Sequence, residues 1–339
     1  MKIKIILSIA FLISISFESF GQNFTILDQL QDSINANSKK LNISEVLEVK
    51  NIANIKIIKL ISEAIKQEKS IFFNFDSLKI ISVLTSDDKN LRIFSWVIPF
   101  DDGSYSYYGI VQSYNQKNKT YLTTILTDNT AKISKPMSMS LNANKWYGSR
   151  YYNLITNKYH GKKLYTLLGW KGLDYTKKAK VIEVVDIKTN GSPTFGYGIF
   201  NLDGCEYFEN DKRPKRLVYI YSADASMNMN YETQTILNEV KKSKLKSTPI
   251  SKGFNSQKKA VRTKPKYQKI VGEMIVVDRL LPLNENIKGM YQFYIPALNI
   301  IDALYFEKGK WKYYADIDAR NKVISPERKS KIDYNLKQD

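Results

Sequence analysis

One cysteine and one histidine in 339 residues remove several kinds of chemistry at the outset. Cys205 has no second cysteine to pair with, so the chain forms no intramolecular disulfide. A zinc site built from histidine and cysteine needs three or four ligands, and these two residues cannot supply them. Any Ser-His-Asp arrangement has to use His160. Its setting, Tyr159-His160-Gly161-Lys162, reads as a loop at the end of a helix rather than as a general base. Cys205 stands in Asp203-Gly204-Cys205-Glu206, and the two acids raise a thiol pKa and work against a reactive thiolate. The run Gly169-Trp170-Lys171-Gly172 lacks the spacing that cradles a phosphate. Nothing in the sequence therefore implies a cofactor or a resident metal.

Membrane-length apolar runs are also missing. Ile5 to Phe17 is apolar over thirteen residues, whereas a membrane span takes roughly 20. Lys2 and Lys4 precede this run and Ser19-Phe20-Gly21 follows it, the pattern of a secretory signal peptide cleaved before Gln22. With no cysteine beside that point there is no lipoprotein box. An exported chain of this size without disulfides fits a bacterial envelope, in the periplasm, at the outer-membrane periphery or outside the cell. Asn23, Asn42, Asn118 and Asn190 then carry little meaning as glycan acceptors.

Acidic residues are absent from one long stretch. The formal net charge is +19; residues 1–21 hold two lysines and Glu18, which leaves +18 beyond them. Residues 241–270 contain Lys241, Lys242, Lys244, Lys246, Lys252, Lys258, Lys259, Arg262, Lys264, Lys266 and Lys269, with no Asp or Glu, so eleven of the eighteen excess charges fall there. Pro249, Gly253 and Pro265 make this an inserted loop between strands. A lysine-rich composition accounts for some of it, but not for the missing acids. The chemistry fits a polyanion: anionic lipid, acidic polysaccharide, extracellular DNA or an acidic protein partner. Phe254 and Tyr267 are the only aromatics in the stretch, which argues against sequence-specific nucleic-acid readout.

What is present in quantity is tyrosine, 23 copies against 15 phenylalanines, which suits half-exposed pleated surfaces. The chain divides into the signal region 1–21, a helical segment 22–70, a β-rich domain 71–321 that holds the basic insertion, and a polar tail 322–339. Thr25-Ile26-Leu27-Asp28 and Asn42-Ile43-Ser44-Glu45 look like helix caps, and helices are expected over about 25–37 and 43–68. The second would bury Val46, Leu47, Ile55, Ile58, Ile61, Ala64 and Ile65 on one face. From residue 71 the period falls to two. Strands over 78–84, 91–98, 105–113 and 119–126, separated by Asp- and Asn-rich turns, predict a four-stranded meander. Further on, 144–155 reads as a short helix, 163–169 as a strand, and 176–187 as a helix or an edge strand. Strands follow at 195–200, 216–222, 227–232, 273–278, 290–294, 303–306 and 311–315. The fold class is mainly β and antiparallel, either propeller-like or an irregular sandwich or barrel, behind an α-helical N-terminal segment.

Several runs resemble a family of uncharacterised exported proteins of Bacteroidota. They are Leu91-Arg92-Ile93-Phe94-Ser95-Trp96, Tyr165-Thr166-Leu167-Leu168-Gly169-Trp170, Arg216 to Met227, Met274 to Leu280, and Trp311 with Asp316 to Asn321. The resemblance implies an envelope location and brings no activity, so no functional residue is carried over from it.

Carboxylates are the remaining route to catalysis, because a glycoside hydrolase needs two of them facing one sugar bond. Asp87, Asp88, Asp101, Asp102, Asp224, Asp316 and Asp318 are the candidates. The first four stand where turns use Asp for its own backbone hydrogen bonds. Asp316 and Asp318, at i and i+2 on an extended segment, would face one side and could hold calcium. Trp96, Trp146, Trp170 and Trp311 are candidates for a sugar-stacking platform, although aromatics in strands usually pack in cores. The leading expectation is a non-catalytic binding or structural protein, with an envelope hydrolase as the rival.

Overall fold

The computed structural model describes residues 24–211, 213–239 and 267–318. The chain divides into two compact units, Met1–Leu78 and Lys79–Asp339.

Among the described residues, the first unit is an antiparallel helix pair, α1 (Thr25–Ile43) and α2 (Leu47–Lys66). Both expected caps are displaced. The residue ahead of α1 is Phe24, so Thr25 is already helical, and α1 runs through Asn42. The Ser44 hydroxyl, not Asn42, receives the N–H of Val46 before α2 begins, at 3.1 Å. Half of the expected apolar stripe is out of place as well. Ile61, Ala64 and Ile65 are buried, but with Ala53 and Ile57, whereas Val46, Leu47 and Ile55 are more than half exposed. The first turns of α2 are apolar on nearly every side, so periodicity could not select the face.

The second unit is mainly β, in three open sheets. Sheet I is the expected meander β1 (Ser82–Thr85), β2 (Leu91–Pro99), β3 (Tyr105–Asn115) and β4 (Thr120–Thr127), in that order. Sheet II is built on a second meander, β6 (Arg150–Tyr159), β7 (Lys162–Gly172), β8 (Lys177–Ile187) and β9 (Pro193–Phe195). β5 (Leu141–Asn142) joins beyond β9, and β11 (Arg216–Ser222) also pairs with β8. Sheet III is a third meander, β12 (Met229–Glu239), β13 (Tyr267–Pro282), β14 (Tyr294–Glu307) and β15 (Lys310–Tyr314). β10 (Phe200–Asn201) adds to it parallel to β15. Each sheet keeps free edges, so the closed barrel is not formed.

Sheet II is the middle layer. On one face Tyr165, Leu167, Ala179, Val181, Val185 and Val218 pack with Leu91, Ile93, Tyr107 and Val111 of sheet I. On the other, Leu164, Leu168, Ile182, Leu217 and Tyr221 pack with Ile275, Val277, Leu304 and Trp311 of sheet III. A strand buried on both faces loses the polar–apolar alternation. That is why 176–187 read ambiguously; it is an interior strand, held by β7 on one side and by β11 and β9 on the other. The helix expected over 144–155 is only a 3-10 turn at Ala143–Lys145, followed by β6, whose Tyr, Ile and Thr residues suit a strand. Residues 196–199 are not strand, and 291–293 form a 3-10 turn that leads into β14.

Candidate functional site

Most of the sequence candidates serve the fold. His160 and Gly161 are the two residues between β6 and β7, with φ of 46° and 79°, a two-residue hairpin turn in which both centres are left-handed. The imidazole is exposed at that tip with its edge against Tyr159, 4.4 Å between ring centres, and it follows a strand rather than the expected helix. Trp96, Trp146 and Trp311 are fully buried, which removes three of the four stacking candidates, and the half-buried Trp170 packs edge-on against Tyr105, 5.7 Å between ring centres. The Trp311 indole N–H donates to the Thr166 hydroxyl at 2.9 Å and ties sheet III to sheet II.

Two of the expected carboxylates are spent locally. Asp102 accepts from the Ser104 N–H at 2.9 Å and from its hydroxyl at 2.6 Å. Asp88 accepts from the Ser86 hydroxyl at 2.7 Å, the Asn90 N–H at 3.1 Å and Lys163 Nζ at 2.8 Å. Burial pushes its pKa up, but the hydrogen bonds from Lys163, Ser86 and Asn90 outweigh that and bring it down to about 2. Asp87, Asp101 and Asp224 are exposed in turns. Asp316 has a left-handed φ of 49°, so the segment is not extended and its side chain does not share a strand face with Asp318. Among the described residues no group of three acids, cysteines or histidines is arranged to hold a metal ion. Lys241, Lys242, Lys244, Lys246, Lys258, Lys259, Arg262, Lys264 and Lys266 lie outside the described residues. The far boundary of the basic stretch does shift: Tyr267 to Ile270 belong to β13 and pair with Ile236 to Glu239 of β12.

Two sets of charges were not singled out from the sequence. The first is between sheets I and II. Glu183 of β8 and Arg216 of β11 are register partners, both fully buried, and form an ion pair. Tyr151 donates to the other Glu183 oxygen and accepts the Trp146 indole N–H at 2.9 Å. Gly169 leaves room for this, because a Cβ there would meet the Tyr151 ring at 3.0 Å. Close by, Lys171 is 1% exposed, donates to the Thr130 hydroxyl at 2.9 Å and to the Gly148 carbonyl, and sits over the rings of Tyr107 and Tyr147. Burial lowers its pKa to about 8, against the opposing pull of Asp128 and Glu183. The second set surrounds Asp302 of β14. Arg279 Nε donates to both its oxygens at 3.1 Å, and the Asp316 N–H adds a bond at 3.0 Å. The signal for both sets was available: single charges inside apolar strand runs, as in Val-Ile-Glu183-Val-Val and Ile-Ile-Asp302-Ala-Leu, are affordable only when paired.

A concavity of about 980 Å³ opens around residues 198–215. Asp203, Glu206, Glu209 and Asp211 line it together with Arg213, Lys215 and Lys310. Burial raises the Asp211 pKa. Residues 204–206 also line a smaller cavity of about 130 Å³, with Tyr219, Tyr313, Arg279 and Asp302. Cys205 faces this cavity as a neutral thiol, its pKa pushed up by burial to about 11. The Tyr219 hydroxyl beside it has no hydrogen-bond partner among the described residues. Comparison of the chain with known protein families, with characterised proteins and with solved structures returned no match.

Proposed function

We propose that the chain is a non-catalytic protein exported to a bacterial envelope, where it acts by binding. The observation that carries this reading is the commitment of the carboxylates. Asp88 and Asp102 bind their own turns, and the buried acids Glu183 and Asp302 are each paired with an arginine. A general acid and base pair needs free carboxylates with separated pKa values across a cleft. The basic stretch at 241–270 supplies an electrostatic contact for anionic lipid, acidic polysaccharide or an acidic protein, on a surface that is itself anionic. Export rests on residues 1–21 and on the resemblance to exported Bacteroidota proteins.

The test is retention on heparin and on phosphatidylglycerol vesicles, wild type against a chain with residues 241–265 replaced by a short Asn-Gly turn, which spares β13. The expected result is salt-sensitive retention of wild type that the replacement abolishes; equal retention overturns the contact. Mass spectrometry of the protein secreted by its native host is expected to find Gln22 at the N-terminus. The hydrolase reading draws on one observation, the four acids along the 980 Å³ concavity. Release of reducing ends from envelope polysaccharide by wild type, lost in Glu206→Gln, would establish that reading instead.

A further inference from the structure

A sheet edge exposes unpaired N–H and C=O groups, and natural proteins close such edges with short strands, charges, bulges or covering groups. Most edges of this protein show one of these devices. β1 has four residues, and β5 and β10 have two each. β6 carries Arg150 and Lys158 and is broken by a bulge between Tyr151 and Asn153. β12 carries Glu232. On β11 the outward backbone of Ile220 is taken by the Tyr207 hydroxyl, which accepts from its N–H at 2.6 Å and donates to its C=O at 2.9 Å.

β4 has no such device. It reads Thr-Tyr-Leu-Thr-Thr-Ile-Leu-Thr over Thr120–Thr127: eight residues with no charge, proline or glycine, paired with β3 without a bulge. The side facing away from β3 is identified at Thr127, whose carbonyl accepts the Trp146 N–H at 3.0 Å. The two-residue period of a strand puts the N–H and C=O of Tyr121, Thr123 and Ile125 on that same side. Among the described residues none of these groups has a hydrogen-bond partner. The Tyr121 and Ile125 side chains, 37% and 50% exposed, add an apolar, β-forming surface along the edge. Lysines stand at both ends: Lys117 and Lys119 in the β3–β4 turn, Lys132 and Lys145 in the 3-10 turns after Thr127. All four are exposed, and none is in an ion pair among the described residues. Of the acids near the edge, Asp128 is engaged by the N–H groups of Thr130 and Gly148 at 3.0 and 3.2 Å, and Asp88, close to Tyr121, is held by Ser86, Asn90 and Lys163.

We propose that the β4 edge takes up an extended segment of a partner protein as an added strand, the segment being uncharged at its centre and acidic at its ends. Main-chain hydrogen bonds to Tyr121, Thr123 and Ile125 supply the affinity, and the flanking lysines select the acidic ends. This proposal does not rest on the basic stretch at 241–270.

The test uses the full chain and a fluorescein-labelled synthetic peptide, Asp-Asp-Thr-Val-Thr-Val-Thr-Asp-Asp, followed by anisotropy. Saturable binding that weakens with salt is expected. Thr123→Pro removes an outward N–H without breaking the β3 ladder, and Ile125→Lys puts a charge on the edge. Each is expected to lower affinity by about tenfold or more. If Thr123→Pro loses its circular dichroism signature, Ile125→Lys carries the test. A peptide N-methylated at alternate amides, or one with lysine ends, is expected not to bind. Absence of saturable binding, equal affinity for Ile125→Lys, or equal binding of the N-methylated peptide overturns the proposal. A wild-type dimer seen by ultracentrifugation and lost in Ile125→Lys would overturn it in favour of a second copy of this chain.

Discussion

Both faces of sheet II bury an apolar core, and the face towards sheet I also encloses an ion pair and a lysine. Towards sheet I the layer buries Glu183, Arg216 and Lys171 among tyrosines; towards sheet III it buries Leu168, Ile182, Leu217, Leu304 and Trp311. The apolar face draws its stability from area removed from water, about 1.5–3 kcal/mol for each fully buried large aliphatic side chain. On the face towards sheet I the ion pair adds little to such burial, because desolvation consumes most of the Coulomb attraction. What it adds is definition: an ion pair between residues opposed in one register, with a tyrosine and a tryptophan locked to it, is satisfied by one arrangement of β6, β8 and β11. Sheet II thus takes strength from both neighbours, and the ion pair on one face adds a fixed register.

The strongest way to break this contrast is Glu183→Ala, which strands Arg216 in the interior. Urea unfolding is expected to show a loss of about 4 kcal/mol, whereas the double variant Glu183→Met/Arg216→Met should stay close to wild type in stability. A double variant as unstable as the single one would show that the charges themselves hold the layers together. On the other face Leu304→Ala should cost about 3 kcal/mol, with no such rescue by a second substitution.

The charged face should also respond to alkali. Lys171 has a folded pKa near 8, below the 10.5 of an exposed lysine, so the unfolded chain holds more protons between those values and stability rises with pH across that window. Tyr147, raised by burial to about 12, acts in the opposite sense: its stabilisation is present below pH 10 and is lost as pH rises through its folded value. Unfolding midpoints from pH 7 to 11 are therefore expected to climb and then fall, and Lys171→Met should remove the climb while leaving the fall. A midpoint that declines steadily from pH 7 in wild type would contradict this. The smallest effect is expected at the rim, where Asp88 of sheet I reaches Lys163 of sheet II. Its pKa of about 2 stabilises the fold above 3.8 and ceases to do so as pH falls through 2. Asp88→Asn should cost about 1 kcal/mol at neutral pH, since the pair is partly screened, and should flatten stability between pH 4 and 2.

Sheet I was legible in the sequence strand by strand, because each of its hairpins is closed by turn residues and its partners are neighbours in the chain. The hairpin at Tyr159–Lys162 carries legible turn chemistry in His160-Gly161, but the spacing of Asn144 to Ile155 ahead of it suggests a helix and hides its first strand. Of the candidate site, the acids were seen but not their fate. The acids lining the concavity, Asp203, Glu206, Glu209 and Asp211, stand within nine residues of sequence, but only the fold sets them with Lys310 on one wall.

The sequence alone sets the class of the fold, the first meander, the lack of an intramolecular disulfide and of a histidine–cysteine zinc site, and the position of the largest positive charge. Only the tertiary structure decided that β8 is interior, that Glu183 faces Arg216 thirty-three residues away, and that β4 keeps an open edge. Turns and caps are set by forces acting over a few residues, and a sequence displays those directly. Burial on two faces, ion pairing across strands and the freedom of an edge depend on which distant segments arrive alongside, and no local pattern records that.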